Sequence, residues 1–145
     1  MKTFSIIFSL IFLLSCNLNT TYSNRESDKR EAEQITNKLY HYLEMQELEK
    51  AESLFSEQFF EVTDRETLNK IFAKTLEECG NLTNFTLEEW TTFIVKGTDS
   101  KSEYVLVYRI TRDKKNTTER IGLIKEEDET IKIVSYHVNF DMLDE

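Results

Sequence analysis

"AKTLEECGNLTNFTLEEW", residues 73–90, holds the change of rhythm that decides the fold. Up to Cys79 the apolar positions recur every three or four residues, and from Phe85 onward every second residue. Gly80 sits at the join, where a helix end favours a residue free to take a positive φ. Reading back from Gly80, Leu68, Ile71, Phe72, Thr75 and Cys79 fall on one face of a helix. Its start in "VTDRETLNKIFAKTLEECG" (62–80) has Thr63 followed three residues later by Glu66, the spacing of a capping box. Further back, Ala32, Ile35, Leu39 and Tyr42 predict a helix from Lys29 to about Glu44. Leu48, Ala51, Leu54 and Phe55 predict a second, shorter one within residues 45–59.

Reading forward, "FTLEEWTTFIV" (85–95), "EYVLVYRIT" (103–111), "ERIGLIK" (119–125) and "IKIVSYHV" (131–138) are rich in β-branched and aromatic residues. The separators "KGTDSK", "RDKKNT" and "EEDET" are short and polar, as in antiparallel hairpins. Helices followed by strands make an α+β domain, with N-terminal helices packed on a four-stranded antiparallel meander.

The chain has 145 residues, room for one domain. It carries 18 Lys+Arg against 27 Asp+Glu, a net charge of −9. That surface repels phosphate backbones and excludes nucleic acid as an expected partner. It also repels anionic headgroups, so attachment to a membrane has to come from lipid rather than a basic patch. Two cysteines and two histidines are too few for a disulfide framework or a metal cluster.

The first sixteen residues, "MKTFSIIFSLIFLLSC", bring Lys2, then an apolar run Phe4–Leu14 too short for a ~20-residue membrane span. Its end, Leu13-Leu14-Ser15-Cys16, resembles the lipobox of bacterial lipoproteins. The resemblance implies a diacylglycerol on the Cys16 sulfur, cleavage before that residue and acylation, palmitate included, of the new amino terminus. Residues 1–15 are then a signal peptide, 16–28 the lipidated cysteine and a flexible tether, and 29–145 the α+β domain. The mature chain has 17 Lys+Arg against 27 Asp+Glu, net −10. Two or three acyl chains anchor stably where one binds reversibly. Asn17, rather than an acid, after the cysteine points to the outer membrane, facing the periplasm, over the inner membrane.

The order of elements over residues 29–139 resembles the cone fold of the nuclear-transport-factor and ketosteroid-isomerase type, and small bacterial envelope families of uncharacterised function built on it. The resemblance is carried by "LEKAESLFSEQF" (48–59), where a helix–turn–helix leads to a short Phe-Ser-x-x-Phe segment. "TERIGLIKEEDETIKIVSYHV" (118–138) adds a penultimate strand, an acidic turn and a final strand. It implies a curved sheet that can enclose an apolar pocket against the helices, and it implies no activity by itself.

Trp90, Tyr104, Tyr108 and Tyr136 all fall on predicted strands, and Tyr104 and Tyr108 share a face with Leu106 and Ile110. Such rings can line a ligand pocket, form a partner or homodimer surface through the sheet, or simply pack across strands. His137 lies in the last strand, with Tyr136 and Val138 on the opposite face; a general base there would need a positioned partner. His41 reads as a surface residue and Cys79 as a small buried hydrophobe. "ELEKAE", "LEE" and "EEDE" lack the pattern of a calcium loop and read as solvated faces and turns. No catalytic set, metal site or cofactor motif emerges. The expected protein is a non-enzymatic, lipid-anchored cell-envelope module that binds a protein or a small apolar ligand. The alternative is a small isomerase- or dehydratase-like enzyme using the cone pocket.

Overall fold

The computed structural model describes residues 19–140. Residues 1–15, expected to be a signal peptide, and Cys16, the expected lipidation site, lie outside the described residues. Four helices come first in the chain after one short strand: α1 Glu26–Glu44, α2 Leu48–Glu52, α3 Glu57–Phe60 and α4 Arg65–Cys79. The strands are β1 Thr20–Ser23, β2 Leu82–Lys96, β3 Lys101–Arg112, β4 Thr117–Lys125 and β5 Ile131–Phe140. The domain is α+β, and its strands form one open antiparallel sheet in the order β1-β2-β3-β4-β5.

The meander of four strands is present as β2 to β5, but the sheet has a fifth member. β1 pairs with the end of β2, Thr20 opposite Lys96 and Ser23 opposite Phe93. The stretch expected to be a tether is therefore structured from Thr20 onward. Its β-branched threonines and Tyr22 dock on an edge of β2 that would otherwise be unpaired, and the Arg25 guanidinium stacks 4.1 Å over the Tyr22 ring. Arg25 then makes a two-point ion pair with Asp28, 2.7 and 2.9 Å, and α1 begins at Glu26 instead of Lys29.

Residues 45–59 differ from expectation as well. In place of one helix there are α2 and α3, separated by an extended step at Phe55 that forms a parallel bridge to Ile133 of β5. The Ser56 N–H donates to the Ile133 carbonyl and the Ile133 N–H to that of Leu54, each 2.9 Å. Ser56 Oγ then caps α3 by accepting from the Phe59 N–H. At α4 the cap is Asp64, whose Oδ1 accepts from the Thr67 N–H at 2.6 Å, one residue past the expected Thr63. Gly80 ends that helix at φ +81°, and a side chain there would run into Asp113, which suits glycine on both counts.

Three register slips bend the sheet. One extra residue enters at Thr83, another at Glu88 on β2, and a third at Val134 on β5. One face of the sheet is covered by the helices. Leu106 and Ile110 of β3, Ile121 and Leu123 of β4 and Ile133 of β5 meet Ala32 and Leu39 of α1 and Leu68 and Phe72 of α4 in a single core. That placement settles which sheet face meets the helices.

Candidate functional site

A pocket of about 230 Å³ opens where the C-terminal end of α1 and α4 stand over the start of β2 and the end of β3. Leu43, Leu48, Phe72, Leu76 and Leu82 make its apolar walls, and Glu44 and Gln46 stand at the exposed rim. Asn81, Arg112 and Tyr136 supply the polar groups. The volume is below the roughly 300–1,000 Å³ of drug-sized sites, so a ligand held here is small.

Below the pocket lies a buried polar network. Glu119 is fully enclosed and Arg112 only 6% exposed. An Arg112 Nη donates to Glu119 Oε1 at 2.8 Å, and Thr117 Oγ1 donates to the same oxygen at 3.2 Å. The Tyr136 hydroxyl donates to Oε2 at 2.8 Å. Arg112 also reaches Thr117 Oγ1 and the Gly80 carbonyl, each 3.3 Å. Three of its five N–H groups are thus engaged among the described residues, and Arg112 also lines the pocket. The Tyr40 hydroxyl is buried close enough to Glu119 to feel its charge, with no well-formed hydrogen bond among the described residues.

Burial pushes the phenols of Tyr136 and Tyr40 well above their ordinary range, and the Glu119 carboxylate adds to the rise. These rings stay neutral hydrogen-bonding groups at any pH near neutrality. Tyr108 is pushed up to about 12 by burial, opposed by its hydrogen bond of 2.7 Å with Thr36. Burial likewise raises the Cys79 thiol, which disfavours the thiolate a nucleophile would need.

Of the aromatic candidates, only Tyr136 lines the pocket. Tyr104 and Tyr108 are buried on the helix-covered face, Tyr108 edge-on to Tyr40 at 5.2 Å. Trp90 is half-buried on the same face, with the Lys29 ammonium 5.3 Å from its ring. His137 is exposed on the other face of the sheet, opposite Arg120, and is not part of the site. Glu119 and Arg112 went unrecognised in the sequence. The signal for Glu119 is its phase: it alternates with Ile121 and Leu123, so a carboxylate points where two core residues point.

Among the described residues, no group of three or more His, Cys, Asp or Glu side chains is placed to hold a metal ion. No described helix is long and apolar enough to cross a membrane. Comparison with protein-family models, with curated proteins and with solved structures finds no match to this chain.

Proposed function

We propose that the chain is a non-enzymatic, lipid-anchored cell-envelope protein whose cone-like domain binds a small, mostly apolar molecule with one anionic or acceptor end. The observation that carries the reading is the position of Arg112, a largely buried guanidinium that lines the pocket together with leucine and phenylalanine walls. Apolar walls supply non-directional affinity, and a few placed polar groups fix orientation. Hexanoate and hexanol make a matched pair of probes, titrated by calorimetry. The expected result is tighter binding of hexanoate, and loss of both in Ala73→Trp, which plugs the mouth from an exposed helix position. Failure of both probes to bind, or binding that survives the plug, overturns the pocket reading.

The anchor is tested apart from the pocket. Cys16→Ser removes the thiol needed for the thioether, and the expected product is uncleaved or soluble protein by detergent partitioning and mass measurement of the amino terminus. Wild-type protein that is soluble and cut elsewhere would overturn the lipoprotein assignment.

The alternative, an isomerase- or dehydratase-like enzyme, draws on the hydrogen-bonded pair Glu119 and Tyr136. A general base must reach the proton it removes. Glu119 is fully enclosed and surrounded by three donors, so it faces its own partners instead of a substrate. A homodimer would use the uncovered sheet face, where Phe93 is 37% exposed, and sedimentation reads it directly.

A further inference from the structure

We propose that the domain stands on its anchoring membrane by the corner where β1 begins, with the pocket held away from the lipid and open to the aqueous compartment. This rests on the lipidation of Cys16. Four residue steps separate Cys16 from Thr20, a span of at most about 14 Å however the chain runs. From Thr20 onward the chain is fixed, because Thr20 and Thr21 pair with Lys96 and Val95. The side chain of Asn19 is also tied to Asp99 in the turn between β2 and β3, at 3.3 Å. The anchor therefore enters the domain at one end of β2, beside the turn at 97–100.

The pocket is at the other end. Leu82, the first residue of β2, lines it, and fourteen steps of strand lead from there to Lys96. At ~3.3 Å per residue that is about 46 Å before bulges and twist, and of the order of 40 Å after them. α1 runs the same course in reverse. Asn24, just before it, bonds to Thr92, Tyr40 packs 4.7 Å from Phe85, and Glu44 at its end stands on the pocket rim. A leash of ~14 Å cannot bring a mouth ~40 Å away to the bilayer unless the whole domain lies flat. The mature net charge of −10 opposes that on a surface with anionic headgroups. Near the anchor Lys96 and Lys101 balance Asp99 and Glu103, whereas the turn between β4 and β5, at the far side of the same end of the sheet, carries the four acids Glu126, Glu127, Asp128 and Glu129 with Lys125 beside them. The standing corner is thus the less repelled one, and the pocket samples solutes in the aqueous phase instead of molecules dissolved in lipid.

The experiment uses the full chain, processed in cells and reconstituted into phosphatidylethanolamine and phosphatidylglycerol vesicles that carry nitroxide headgroups. A fluorophore is placed at Thr98→Cys, in the turn, or at Glu44→Cys, on the rim; both positions are exposed, and Cys79 is buried. The expected result is that the Thr98 label loses most of its emission and the Glu44 label keeps nearly all of it. A flexible glycine-serine insert ahead of Asn19 should then restore the Thr98 emission, because a short leash, not adhesion, holds it down. Equal quenching at both positions, or stronger quenching at Glu44, overturns the orientation while leaving the anchor intact, and quenching at Thr98 that survives the insert overturns the short leash as its cause. Protein that fails to float with the vesicles overturns the anchor, and the orientation with it.

Discussion

Glu119→Gln keeps the shape of the side chain and removes its charge, leaving the Arg112 guanidinium buried without a counter-ion. Both partners are shielded from water, 0% and 6% exposed, so no discount for solvent screening applies. Removing one member of a buried pair costs about 3–5 kcal/mol, most of it the penalty of the stranded charge. Tyr136→Phe deletes only one donor to the carboxylate, which retains Arg112 and Thr117, so the cost falls near the low end of the roughly 1.5–3 kcal/mol of a hydrogen bond to a charged group. The double variant Arg112→Met/Glu119→Leu removes both charges at similar volume and should lie within about 1–2 kcal/mol of wild type, well short of the two single losses added together. Urea unfolding followed by circular dichroism and by the fluorescence of Trp90, the single tryptophan, gives all of these values. A Glu119→Gln cost below about 1 kcal/mol, or a double variant as unstable as the sum of its parts, would refute the picture of a dry, mutually dependent pair.

Phe72 is 6% exposed and meets Tyr136 at 5.7 Å and Phe55 at 6.3 Å. Phe72→Ala should cost ~3 kcal/mol, the lower end for a core ring because one side already borders the pocket, and the same denaturation experiment measures it. Alkali should unfold the domain. The folded phenols of Tyr40, Tyr108 and Tyr136 are all raised, so stability is fully present below the unfolded tyrosine value near 10 and is lost as pH climbs, for Tyr108 through about 12. Tyr104 is raised by burial as well, and with four such rings the slope reaches at most about 5.5 kcal/mol per pH unit; tyrosinate absorbance should rise cooperatively with unfolding instead of ahead of it.

The helix-to-strand boundary at Gly80 and the buried face of β3 were legible because each follows a single unbroken period over many residues. β5 shows the limit. Strict alternation would put Ile131, Ile133, Ser135 and His137 on one face. The extra residue at Val134 shifts the phase, so Tyr136 joins Ile133 in the core and His137 turns outward. Nothing local at Val134 marks that slip; it is set by the fit of β5 to β4, where the Ser135 side chain occupies the place a side chain on Gly122 would take. β1 was hidden for a related reason: four mostly exposed residues with no alternation become a strand only because β2 offers an edge. The break between α2 and α3 likewise belongs to Phe55 and its bridge to Ile133, a contact across almost eighty residues. The pocket polar set needed two strand ends brought together. Arg112 and Glu119 are separated by a hairpin turn, and only the folded register gives them a shared interior.

An open sheet has two rims at which another chain could add itself, and growth by such addition is how β-proteins aggregate. At one rim the bridge to Phe55 and its neighbours consumes both backbone groups of Ile133, and the kink at Val134 spoils the straight ladder a newcomer would need. At the other, β1 and Asn24 close β2 from Thr92 to Lys96, and the kinks at Thr83 and Glu88 interrupt what is left. With no proline anywhere in the chain to serve as a strand breaker, these irregularities discourage edge-to-edge pairing, so restoring a regular ladder by deleting Val134 should make the domain prone to fibre formation.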